Sequence, residues 1–268
     1  MKIKSKLFYK SFFLSLAIFA LVAGIILTSL FMDKVSVYPT KEESNVLVGI
    51  THNGEVISLS VINCDPKNST IRFLSIPDNT LLSDGRVLQA LYQKNNLSLM
   101  ESTVERLIGA KIDRYLFFSA ESVSALTNEI GSFDYLILYP FTYKNHEHLG
   151  FSFMNGELAY EMLTYDGYDM TKVSMASIGD SYLRSFLTTH AGPVTSDMIA
   201  KALVSNDISS GINTNLTNDE ITEYCNFLAK YSSLNHESVY LEGQTHLTSS
   251  RLYFTPNTYH SDKNIFKK

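Results

Sequence analysis

Ile71-Arg72-Phe73-Leu74-Ser75-Ile76-Pro77-Asp78-Asn79-Thr80 is the stretch on which the reading of this chain turns. Residues 71–76 form a compact apolar run that Pro77 stops, because proline has no N–H to continue a ladder. They read as a buried strand ending in a loop. Two more such runs precede it. Asn45–Ile50 is compact and apolar around Gly49, and Val56–Ile62 alternates and is rich in β-branched residues, so both read as strands. Asn53-Gly54 between them is a hairpin signal. Asp65-Pro66-Lys67-Asn68 is a turn into the third strand.

Downstream, helical periodicity takes over. Ser98 with Glu101 forms a capping-box pattern, and Val104, Leu107 and Ile108 make a stripe ending at Gly109. Ala120–Ile130 repeats the pattern up to Gly131. Helices are also expected over 155–163, 182–189 and 195–203, and from the Thr217/Glu220 capping box through Ala229. Strands are expected at Tyr115–Phe118, at Tyr135–Tyr139 (closed by Pro140), and late at 239–241 and 251–254. Strands mixed with helices throughout predict a layered α/β domain with a central mixed sheet flanked by helices.

Composition narrows the function. The 268 residues are 45% hydrophobic, which excludes a disordered chain. Twenty-two basic against 27 acidic residues, a net charge of -5, argue against a general nucleic-acid binder. Two cysteines cannot build a disulfide scaffold or a four-thiolate zinc site. The charge is unevenly placed. Lys2, Lys4, Lys6 and Lys10 stand in the first ten residues with no acid, so the remainder carries 18 basic and 27 acidic residues, a net of -9. Ser11–Met32 then runs 22 residues without a charge. As a helix it would be about 33 Å long, enough for a bilayer core of roughly 30 Å. The lysines before it and Asp33 after it predict a cytoplasmic N-terminus and an extracytoplasmic domain. The run is longer than a signal-peptide core, and its bulky Leu30-Phe31-Met32 end is no cleavage site, so an uncleaved single-pass anchor is expected. The organisation is thus a basic tail (1–10), an anchor (11–32), a linker (33–44) and a domain (45–268), whose motif region (45–190) precedes a C-terminal helix and strand portion (191–268).

Phe73–Thr80 resembles the LytR-CpsA-Psr family, in which an apolar strand ends in Ser-Ile-Pro-Arg-Asp-Thr. Asn45-Val46-Leu47-Val48-Gly49 is similar to the family's opening strand. Leu107-Ile108-Gly109-Ala110-Lys111-Ile112-Asp113-Arg114-Tyr115, Asn155-Gly156-Glu157-Leu158-Ala159 and Thr214-Asn215-Leu216-Thr217 resemble its later motifs, in the same order. The resemblance covers about residues 45 to 255 and fits the anchored layout. It implies an envelope ligase that moves a glycopolymer from a polyprenyl-pyrophosphate lipid to peptidoglycan or protein, with a long apolar tunnel for the lipid tail. Such chemistry calls for arginine forks on the pyrophosphate, a divalent metal held by aspartates and a general base.

Most of those residues are replaced. Where the family has its metal-binding aspartates stand Thr51 and Ile57, and where it has arginine stand Glu55 and Asp78. Asn79 replaces Asp, Thr80 is kept, and the Arg-x-Arg stretch is Thr164-Tyr165-Asp166. Asp180 and Arg184 stand slightly out of register with the last motif, and Arg86 falls where a basic residue is common in the family. Arg86, Arg184, Asp180 and Thr80 are the candidates for a residual pocket. Losing one transition-state charge donor costs about 2.7–4 kcal/mol, and here several are missing with two signs reversed. A catalytically impaired, pseudoenzyme-like member that binds an envelope lipid or partner is therefore the leading expectation. An active transferase with a rebuilt site, using magnesium, and an assembly protein without ligand are the alternatives. No cofactor or metal site is otherwise expected. His146-Glu147-His148 reads as a polar loop, and Cys64 and Cys225 read as free, packed thiols, with a disulfide as the other option.

Overall fold

The computed structural model describes residues 42–94, 96–170, 174–230, 233–248, 251–257 and 264–267. All belong to one of the two compact units into which the chain divides, Pro39–Lys268. The expected basic tail and anchor lie outside the described residues. Among the described residues no helix is long and apolar enough to cross a membrane.

The chain runs β1 (Ser44–His52), β2 (Glu55–Asp65), β3 (Thr70–Ser75), a 3-10 turn (Leu88–Leu91), α1 (Ser98–Ile108), β4 (Arg114–Ser119), α2 (Ala120–Ile130), β5 (Phe133–Tyr143) and β6 (His146–Met154). It continues with α3 (Gly156–Thr164), α4 (Met175–His190), α5 (Pro193–Val204), the short α6 (Asn206–Ser209), β7 (Ile212–Thr214), α7 (Asn218–Leu228), β8 (Asn235–Val239), β9 (Gly243–Leu247) and β10 (Leu252–Pro256). The central sheet has the order β7-β4-β1-β2-β3-β8 and is mixed: β1 pairs antiparallel with β2 and parallel with β4. Asn53 and Gly54 both take positive φ, 51° and 81°, as the tight β1–β2 turn requires.

Alternation along the strands sorts side chains into two cores. Leu47, Leu59, Val61 and Leu74 face α1 and the 3-10 turn. Val48, Ile50, Ile62 and Phe73 face α2, α4, α5 and α7. Two of the family-like motif residues lock this register. The Asn45 amide N–H donates to Asp113 Oδ2 at 3.0 Å, and Asn45 Nδ2 donates to the Lys111 carbonyl at 2.8 Å. Gly49 is required by close approach, since a Cβ there would lie 2.3 Å from the Phe117 ring.

The structure corrects four expectations. The Ser98/Glu101 box does not form; the Asn96 carboxamide instead accepts from the Ser98 N–H and hydroxyl. Pro140 does not close its strand, because β5 passes it at a register shift between Ile137 and Phe141, where a missing N–H is tolerated. His146 and His148 lie on β6 rather than in a loop, with His148 stacked on Phe141. Helix α4 begins seven residues before the expected 182, and Gly179 inside it brings the helix onto β2, where a Cβ would meet Ser58 at 2.3 Å. The Thr217 capping box and the Asn155 cap form as read.

Candidate functional site

Between the sheet and α2, α4, α5 and α7 lies a cavity of about 140 Å³. It exists because β2 places Ser58 and Ser60 on this face while Leu59 and Val61 fill the other. Its walls are side chains such as Ile50, Phe118, Leu126, Phe186, Ile199 and Leu228. Among the described residues no Lys, Arg, Asp or Glu lines it.

The few polar groups on the wall are engaged or held neutral. The Ser60 hydroxyl donates to Asp180 Oδ1 at 3.1 Å. Tyr182 and Thr127 share a hydrogen bond, and the Tyr224 hydroxyl donates to Ser44 Oγ at 3.0 Å. Burial pushes the Cys225 thiol and the Tyr224 phenol up to about 12. Burial also lowers the His190 pKa below the usual imidazole value, against a backbone hydrogen bond with Gly131 that raises it. His190 packs on Phe133 and Phe186, and its Nε2 is buried with no hydrogen-bond partner. Every titratable group on this wall is thus pushed toward its neutral form, as suits an apolar occupant.

The residues at the family's charge positions have other work. Asp78 is 2% exposed and accepts from the Ser174 hydroxyl at 2.7 Å, just before α4, with Arg251 Nη2 3.7 Å away. Its charge therefore sits at the N-terminus of α4, where the helix dipole favours an anion. Asn79 Nδ2 donates to the Leu252 carbonyl at 2.6 Å, and Thr80 Oγ1 donates to the Pro77 carbonyl at 2.6 Å. This loop, which in the family carries arginine and aspartate, here ties β3 to α4 and β10. Thr51 Oγ1 donates to the Phe118 carbonyl at 3.2 Å, and Ile57 packs against the core. One hydroxyl already engaged by backbone and one alkyl chain do not fit a magnesium ion, which demands several oxygen ligands. Glu55 is exposed at the start of β2, Thr164 Oγ1 donates to the Tyr160 carbonyl, and Asp166 is exposed in the turn after α3. Among the described residues no three His, Cys, Asp or Glu side chains gather as a metal site.

The residual candidates divide. Arg184 Nε donates to Asp180 Oδ2 at 2.8 Å, and its guanidinium lies 4.5 Å over the Phe73 ring. Arg86 is elsewhere, in an exposed turn, donating to Asp84 at 2.6 and 2.8 Å. Arg86 and Arg184 therefore do not share a pocket, and Asp180 is already paired. Sequence reading missed the cavity's polar marker, His190; its place at the end of an amphipathic helix was the only available signal. Cys64 and Cys225 are both free and buried.

No family model matches the chain. Over 99 residues it is 29% identical to the polyisoprenyl-teichoic acid–peptidoglycan teichoic acid transferase TagV of Bacillus subtilis, covering 34% of this chain and 25% of that protein. The match thus spans about a quarter of the length of the curated relative. The fold is similar to the crystal structure of B. subtilis TagV, with a TM-score of 0.68 at 21% identity over 81% of this chain and 92% of that one. It is also similar to TagT bound to LI-WTA, with a TM-score of 0.58 at 17% identity over 81% of this chain and 85% of that one.

Proposed function

We propose that this chain, a divergent member of the LytR-CpsA-Psr family of cell-envelope proteins, is anchored in the membrane by residues 11–32 and exposes its domain on the extracytoplasmic side. There it holds the apolar tail of a polyprenyl-phosphate lipid and transfers no glycan from it. One observation carries this reading: the cavity beneath the sheet has an apolar wall, and among the described residues no Lys, Arg, Asp or Glu lines it. Its wall is almost wholly apolar, which suits an isoprenoid. TagT, whose fold is similar, has been solved bound to LI-WTA.

Loss of transfer follows from the chemistry. In-line displacement at phosphorus needs cations on the pyrophosphate oxygens, and the arginines and metal ligands that would supply them are Glu55, Asp78, Thr51 and Ile57. Arg184 is already paired with Asp180, and Arg251 lies 3.7 Å from the Asp78 carboxylate. The test uses the full chain with a polyprenyl-pyrophosphate glycan and magnesium. Saturable lipid binding without formation of glycan-linked acceptor is expected. Turnover comparable to an intact family member would overturn the proposal in favour of a rebuilt active site. Neither turnover nor binding would leave an assembly role.

A further inference from the structure

The β5–β6 hairpin breaks the usual division of an amphipathic ribbon. Its inward residues, Phe133, Tyr135, Ile137 and Phe141, are buried. The outward positions of a two-stranded ribbon in water should be polar. Here Leu136, Leu138, Leu149, Phe151 and Phe153 are 43%, 58%, 57%, 84% and 68% exposed. They lie together, because Leu136 pairs directly with Phe151 and Phe153 pairs with Asp134. Polar residues bound the patch at both ends: Asp134 at one, and the Thr142–Glu147 pair near the hairpin tip at the other.

We propose that this face rests on the lipid bilayer, with Phe151 and Phe153 entering the headgroup–acyl boundary. The inference builds on the anchor proposed for residues 11–32. Two observations select the bilayer over a second copy of the chain. Asp33 to Ser44 is a tether of eleven steps, at most about 40 Å fully extended, so an anchored domain always has a bilayer surface within reach. The patch is also small. At roughly 150–250 Å² for a whole large side chain, five partly exposed ones offer on the order of 470–780 Å². A stable protein interface takes about 800 Å² from each partner. An interfacial contact has no such threshold, because it only adds apolar burial to a tether that already holds the domain at the surface.

The chain contains no tryptophan, so the F151W variant carries a single fluorescent reporter of this face. Y240W is its control, since Tyr240 is 77% exposed and outside the hairpin. Both full-length variants are reconstituted in phosphatidylglycerol–phosphatidylcholine vesicles, with or without bromine on the upper acyl carbons, and checked by flotation. The expected result is blue-shifted emission from F151W that bromolipid quenches several-fold more than that of Y240W. Vesicles that float with F151W emitting as in water and unquenched would overturn the hairpin contact and leave the anchor standing. A blue shift that grows with protein density and ignores bromine would replace the bilayer with a second copy. A chain that does not float would overturn anchor and hairpin contact together.

Discussion

The two faces of β2 are one residue apart in sequence and opposite in consequence. Leu59 and Val61 face α1 and the 3-10 turn and are wholly buried in a filled core. Ser58 and Ser60 face α4 and border an apolar space of about 140 Å³. The filled face stabilises the domain through burial of Leu47, Leu74, Met100 and Ile108, each at most 0% exposed. The open face forgoes some of that stabilisation, because side chains bordering the space lack part of their packing partners. Holding a lipid tail is the role proposed for this face.

That contrast can be broken in several ways. The largest effect is expected at Asp78, which belongs to neither face but holds the start of α4. Restoring the family residue with D78R would bury a cation beside Arg251 and lose the Ser174 hydrogen bond. A loss of about 3–5 kcal/mol in chemical denaturation is expected, with no gain of transfer. Next come paired truncations. L59A on the filled face should cost about 2–5 kcal/mol, and L187A on the cavity wall less than about 2 kcal/mol, because its side chain already borders empty space. Equal costs in urea titrations would mean that the cavity collapses in solution.

Filling the open face should separate stability from binding. S60L loses the hydrogen bond to Asp180, about 1 kcal/mol, but gains apolar contacts, so a net change within about 1.5 kcal/mol is expected. Polyprenyl-phosphate affinity should fall at least about tenfold, the equivalent of roughly 1.4 kcal/mol. The smallest effect concerns pH. His190 is held below its ordinary value of 6.5 in the folded chain, so the unfolded chain takes up its proton first. Stability should therefore decline as pH falls below about 6.5 and level off once the folded imidazole also protonates. H190F should flatten that part of the stability–pH curve; an unchanged slope would remove His190 as its source.

Much of the sheet was legible from sequence because its signals are local. Asn53-Gly54 requires positive φ, and runs such as Asn45–Ile50 have no other way to be buried. The hairpin was harder. Pro140 reads as an end, and only the register shift opposite β6 shows how a strand continues past it. The family resemblance marked Asp78 as a sign reversal where arginine is expected but not its new partner, because Ser174 is 96 residues away. Arg86 and Arg184 read alike as lone arginines, and only tertiary structure separates a surface pair with Asp84 from a helix side chain stacked on Phe73. An apolar tunnel was implied by the family resemblance alone, and no residue pattern located the cavity. Serines at alternate strand positions look the same whether they face water or an empty apolar space.

The most direct test of retained tail binding is a titration of the full chain and its S60L variant with polyprenyl phosphate, which carries the tail but no glycan to transfer. Saturable one-to-one binding by the native chain, weakened at least about tenfold in S60L at near-equal stability, is the predicted result. Equal affinity of the two proteins, or no binding by either, would contradict the account, because the space beside Ser60 would then hold no lipid.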